Sequence, residues 1–80
     1  MHIFVGISYI STEILELDVE ATDTIENVKM KIFDLKGIAV TRQVLVYDQI
    51  RLQHGKTLKD YNIGDKATLQ LEYRLGRGGK

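Results

Sequence analysis

The apolar residues of this chain repeat with two different periods, and the order in which the periods change leaves few folds open. Ile3, Val5 and Ile7 alternate with His2, Phe4 and Gly6, and Leu15, Leu17 and Val19 alternate with Glu16, Asp18 and Glu20. A period of two is that of a strand with one buried face. The residues between, Ser8 to Ser11, carry no Gly or Asn for a tight primed turn and include Tyr9 and Ile10, so a wide loop showing apolar side chains is expected. The period then lengthens. Ile25, Val28, Ile32 and Leu35 share one face of a helix, Thr24 stands where an N-cap belongs, and Asp23 and Glu26 suit the positive end of the helix dipole. Gly37 offers the left-handed conformation that ends helices, which predicts a helix over 25–36 lying across the apolar face of the first hairpin.

The shorter period then returns. Val44-Leu45-Val46-Tyr47 reads as a third strand, Asp48-Gln49 as a turn, Ile50-Arg51-Leu52 as a very short fourth strand, and Thr68 to Glu72 as the last. Leu52, Leu58 and Ile63 are spaced through the connection between them to plug the open side of the core. Strands gathered on both sides of a single helix give an α+β fold in which a mixed β-β-α-β-β-β sheet wraps that helix. Periodicity leaves open whether the first and last strands pair in parallel. After Leu75 the residues Gly76-Arg77-Gly78-Gly79-Lys80 have no apolar anchor, so the reading is a domain over 1–75 followed by a mobile tail over 76–80.

Composition excludes several classes. Eighty residues make one small domain, in which a single core carries nearly all the stability. Eleven basic and eleven acidic residues cancel without a basic block, so a nucleic-acid footprint is missing. The chain has no Cys, hence no disulfide, thiolate metal site or thiol nucleophile, which suits the cytoplasm or nucleus. No apolar run approaches the roughly 20 residues that span a bilayer. The two histidines, His2 and His54, are far apart in sequence and lack the carboxylate patterns of a metal site or triad. His2 reads as solvated on the outer face of the first strand and His54 as a loop residue. No phosphate-cradling glycine motif is present. The expectation is a soluble monomer that is not an enzyme and uses no cofactor.

Four segments carry a resemblance. Met1-His2-Ile3-Phe4-Val5, Asp23-Thr24-Ile25-Glu26-Asn27-Val28-Lys29, Thr57-Leu58-Lys59-Asp60-Tyr61-Asn62-Ile63 and Arg74-Leu75-Gly76-Arg77-Gly78-Gly79 together closely resemble the ubiquitin family. The match runs nearly end to end, with two extra residues in the first hairpin and one extra Gly in the tail. The resemblance implies a β-grasp fold and a modifier that attaches its final glycine to substrate lysines. An activating enzyme first adenylates that carboxylate and takes it over as a thioester. Gly78 and Gly79 match the terminal pair, whose missing side chains let the tail thread narrow enzyme channels. Lys80 follows them, so a processing protease has to remove it first. That residue fits a proform, and equally a domain taken from a longer chain or a remnant of cloning.

The departures are as informative. The aliphatic patch that receptors of the family grip has its central position at Val46, but its other strand members fall on Gln70 and Glu72. Desolvating the Glu72 carboxylate costs several kcal/mol unless a partner brings a cation, so ordinary ubiquitin receptors are expected to bind poorly. Three linkage lysines of the family are replaced by Gly6, Ile50 and Asp65. Lys29 and Lys31 match family lysines and are the possible linkage sites, although all six lysines from Lys29 to Lys66 read first as solvated surface charges. Arg74 matches a tail arginine read by activating enzymes, with Arg77 beside it, while the inserted Gly76 changes the register to the terminal pair. Met30 and Phe33 lie off the core face of the helix and are candidates for a docking site; Ile50 with Tyr9 and Ile10 makes a second candidate patch. Leu15 and Val44 read as core positions that differ from the family.

Two functions of different class stay open: a conjugated modifier served by activating, conjugating and processing enzymes, and a noncovalent interaction domain, natural or engineered, whose altered face holds a ubiquitin-pathway partner.

Overall fold

A computed structural model describes residues 1–7 and 13–73. Within these, five strands and one helix follow in the order β1 (His2–Ile7), β2 (Ile14–Asp18), α1 (Ile25–Lys36), β3 (Gln43–Tyr47), β4 (Ile50–Arg51) and β5 (Thr68–Tyr73). One mixed sheet has the strand order β2-β1-β5-β3-β4. β1 pairs antiparallel with β2 and parallel with β5, which settles the pairing left open by periodicity. This is the β-grasp: a sheet closed across its centre by a parallel pair, with α1 on its inner face.

Each element follows from local chemistry. Thr24 has extended backbone, and its Oγ1 accepts the N–H of Asn27 at 3.1 Å, so one of the free donors at the start of α1 is satisfied. Gly37 closes the helix at φ 73°, its N–H donating to the Phe33 carbonyl at 2.7 Å. Asp48 and Gln49 both take positive φ, 53° and 66°, as a two-residue hairpin between Tyr47 and Ile50 demands. Neither is Gly, so the turn holds two side chains in a conformation they rarely adopt. The hairpin loop expected around Ser8 to Ser11 lies outside the described residues.

Inward-facing residues of β1 and β5 meet those of α1. Ile3, Val5, Ile25, Val28, Ile32, Leu45, Leu69 and Leu71 are completely buried, and Leu52, Leu58 and Ile63 close the side of the core as their spacing suggested. Leu58 also feeds a short 3₁₀ helix over Lys59–Tyr61, started by reciprocal bonds between Thr57 and Asp60 of 2.9 and 3.2 Å.

Three residues depart from the sequence reading. Leu35 is 59% exposed, because the stripe that faces the sheet is Ile25, Val28, Lys29 and Ile32, and Leu35 falls on its flank. Val44 belongs to the outer face rather than the core: Leu45 points inward and its neighbours must point outward. β2 begins at Ile14, one residue earlier than read, with its inward phase unchanged, and Leu15 packs against the core only in part.

Candidate functional site

The outer face of the sheet is assembled by strand register. Ile14 is opposite Gly6, Gly6 beside Gln70, Gln70 opposite Val46, and Val46 opposite Arg51, so five strands contribute one row across the face. Val44 and Glu72 form the adjoining pair. Val44 and Val46 are half-buried, whereas Gln70 and Glu72 are exposed. A Cβ at Gly6 would stand 3.5 Å from Oε1 of Gln70, so the Gln70 amide leans over Gly6, in the space that a larger residue at Gly6 would share. The face is therefore a small apolar strip bordered by an amide and a carboxylate. A partner that buries Val44 and Val46 must also remove water from Glu72, directly opposite Val44.

Farther along the same face, His2 lies opposite Asp18, with its ring nitrogens 3.9 Å from the carboxylates of Glu16 and Asp18. Its backbone N–H donates to Asp65 Oδ1 at 2.8 Å. That bond is the main reason the Asp65 carboxyl sits below its ordinary value, assisted by the positive charges of Lys66, the N-terminus and His2. Asp60 is lowered for the same reason, by the backbone and hydroxyl of Thr57, with Lys56 and Lys59 adding to it. These groups trim strand and turn ends. Among the described residues, no group of three or more His, Cys, Asp or Glu side chains is gathered that could hold a metal ion, and no helix is long and apolar enough to cross a membrane.

Ile50 is 53% exposed but does not belong with Val46 and Gln70. Its cross-strand partner is Tyr47, on the opposite pleat from Val46, so it stands at the β4 edge of the sheet. Its companions in the second candidate patch, Tyr9 and Ile10, lie outside the described residues. Met30 and Phe33 are 50% and 49% exposed on α1, away from the sheet, as their spacing implied.

The lysines divide. Lys31 is exposed, whereas Lys29 is 6% exposed and corrects the expectation of a solvated charge. Its position is part of the inward stripe of α1. Lys36 binds Glu13 at 2.8 Å and ties the end of α1 to the start of β2. Gln43 was not singled out by sequence. It is 2% exposed, and its Nε2 donates to the carbonyls of Lys29 and Ile38 at 2.9 and 2.8 Å, fastening β3 to α1 and to the loop that follows it.

β5 ends at Tyr73, opposite Gln43, with the Arg42 guanidinium 6.0 Å from the centre of the Tyr73 ring. The expected conjugation and recognition residues Arg74, Arg77, Gly78, Gly79 and Lys80 lie outside the described residues.

A family model for the ubiquitin family matches residues 3–76, nearly the whole chain. The chain belongs to the ubiquitin family. Similar curated proteins include NEDD8-like protein RUB3 of Arabidopsis thaliana, 37% identical over 65 residues, which are 81% of this chain and 82% of that protein. AN1-type zinc finger protein 4 of Mus musculus is 38% identical over 64 residues, 80% of this chain but 8% of that much longer protein. This ubiquitin-family chain is thus a ubiquitin-like modifier or domain: its fold makes up most of one relative and a small part of the other.

Proposed function

We propose that the chain is a protein modifier, joined through the carboxyl group of Gly79 to lysines of substrate proteins once Lys80 has been removed. The observation that carries this reading is a ubiquitin-family β-grasp body continuous in sequence with Gly78-Gly79. The similarity to a NEDD8-like protein over most of that protein's length supports it. The body performs no catalysis. Activating, conjugating and processing enzymes supply the nucleophiles that a chain without Cys lacks. Arg74 and Arg77 are the basic residues those enzymes would read, and the cytoplasm or nucleus is where they would meet the chain. Lys31, being exposed, is the better candidate for chain extension than the buried Lys29.

Two observations favour the second reading, a noncovalent interaction domain. The similar zinc finger protein holds this fold as 8% of its length, and Glu72 on the sheet face favours a partner that brings a cation to an apolar contact. Incubation with an activating enzyme and ATP separates the two. The chain ending at Gly79 forms an adduct that thiol reductant cleaves, and the same chain lacking Gly78-Gly79 forms none. Failure of the first with every activating enzyme tried leaves the interaction domain.

A further inference from the structure

The charges of this chain cancel in number but not in place. Residues 1–28 hold no Lys or Arg, and six of the eleven acidic residues fall within 13–26. β2 runs through this acidic stretch at one edge of the sheet, with β1 on one side and no strand on the other among the described residues. Its hydrogen-bond phase follows from the two ends of the β1–β2 ladder. Met1 and Val19 bond reciprocally, at 3.0 and 2.8 Å, and the Ile7 N–H donates to the Glu13 carbonyl at 2.9 Å. Bonded and non-bonded residues alternate in an antiparallel pair, so Leu15 and Leu17 direct their backbone groups to β1. The N–H and C=O groups of Ile14, Glu16 and Asp18 therefore point to the open edge. The free stretch stops at Glu20, whose N–H donates to Asp23 Oδ2 and whose carbonyl accepts the Asp23 N–H, both at 2.9 Å.

An unpaired edge is a template for another strand, and the side chains along it select which strand. Ile14, Glu16 and Asp18 are exposed, and all three stand on the outer face. The positive groups facing the two carboxylates are weak holders: the His2 ring, 3.9 Å from each, and the N-terminal ammonium, 3.7 Å from Asp18. A second copy of the chain is a poor occupant, because β2 laid along β2 over its full length puts Glu16 opposite Glu16. A basic segment instead gains a pair at Glu16 and another at Asp18, with an aliphatic residue to cover Ile14. Its alternate residues turn to the inner face beside the half-buried Leu15 and the buried Leu17, where β-branched side chains fit. We propose that β2 accepts, as an added antiparallel strand, an extended segment of a partner protein with the order basic, apolar, basic, apolar, aliphatic. Read along that segment, these residues lie opposite Asp18, Leu17, Glu16, Leu15 and Ile14. The contact involves neither Val44 and Val46 nor Gly78-Gly79, so it stands whether or not the chain is conjugated.

The test is an NMR titration of the ¹⁵N-labelled full chain with three probes: acetyl-Lys-Val-Lys-Val-Ile amide, its counterpart with Glu for both Lys, and the Lys peptide N-methylated at its second Lys. The Lys peptide is expected to give saturable shifts at Ile14, Glu16 and Asp18 and, at saturation, to slow solvent exchange of their amides at least ~10-fold. The other two should bind at least ~10-fold more weakly, one for want of charge match and the other for want of the central backbone bond. Glu16→Lys combined with Asp18→Lys should reverse the preference between the Lys and Glu peptides; both side chains are exposed, and unchanged shifts at Ile3, Leu45 and Leu69 verify the fold. Absence of saturation, or equal binding of the Lys and Glu peptides, would overturn the proposal. So would undiminished binding of the N-methylated peptide, which would reduce the contact to charge attraction. Shifts centred on Val44 and Val46 would place the peptide on the sheet face, and shifts at Ile14 to Asp18 on diluting the free chain would give the edge to a second copy; either result also overturns it.

Discussion

Replacing Gln43 by Met keeps the length and volume of the side chain and removes both of its donors, which isolates the value of a buried amide. The Ile38 carbonyl loses the 2.8 Å bond from Nε2, and Ile38 lies in neither helix nor strand, so no ladder partner takes over. The Lys29 carbonyl also loses a bond, of 2.9 Å, but as a residue of α1 it retains the helical one from Phe33. An unsatisfied buried carbonyl costs about 1–3 kcal/mol, and the lesser loss at Lys29 adds up to ~1 kcal/mol. Against this, the variant also removes the buried Oε1, which has no hydrogen-bond partner among the described residues, a gain of about 1 kcal/mol, so the net loss is roughly 2 kcal/mol. For a domain of this size that lowers Tm by roughly 8–16 °C. Thermal unfolding followed by circular dichroism measures it, and the slow solvent exchange of the Gln43 side-chain NH₂ in the unmodified protein gives an independent reading. A Tm within ~2 °C of the original, or a Gln43 NH₂ that exchanges as fast as a free amide, would refute the idea that this residue fastens β3 to α1.

Other perturbations probe other parts. Glu72→Val removes the carboxylate opposite Val44 and should strengthen binding of a common ubiquitin-interacting helix by about tenfold or more, against a much weaker affinity than ubiquitin's for the unaltered chain; calorimetric titration measures both. Thr24→Ala removes the hydroxyl that caps Asn27 and should cost about 1 kcal/mol, read as a lower urea midpoint with an unchanged slope. Asp65→Asn should change the acid side of the stability profile. The folded-state value of Asp65 is depressed below its ordinary 3.8, so its contribution is present above that pH and is lost as pH falls through the folded-state value. The variant should therefore lose stability at neutral pH relative to the parent, and the two curves should converge in strong acid; curves that stay parallel down to pH ~2 would contradict the role of the His2 N–H.

Much of this fold was legible because several local signals agreed. Thr24 and Gly37 bracket the helix at the residues where it begins and ends, and the alternation in β1 and β5 fixes which side chains enter the core. The departures have two causes. A charged residue is seldom buried, so sequence alone extends the stripe to Leu35, whereas the sheet selects the tighter set that includes Lys29. Val44-Leu45-Val46-Tyr47 is apolar on both pleats, and such a run carries no phase; the partners of β3 decide that Leu45 and Tyr47 face inward and that Val44 does not. Gln43 shares that inward phase, but a glutamine at a strand start gives no sign that two distant carbonyls await it. The outer row from Ile14 to Arg51 likewise exists only once four pairings are known, one of them between the first and last strands. Local pattern specifies elements, and sites built by register between distant strands need the fold itself.

The most direct measurement is made in cells expressing a tagged copy of the chain, purified under denaturing and reducing conditions. A conjugated modifier gives a set of tagged bands of higher mass that survive boiling, each joined to its substrate by an isopeptide bond, and a copy lacking Gly78-Gly79 gives the free chain alone. Identical patterns from the two copies, with the tag confined to the free protein, would contradict attachment through Gly79.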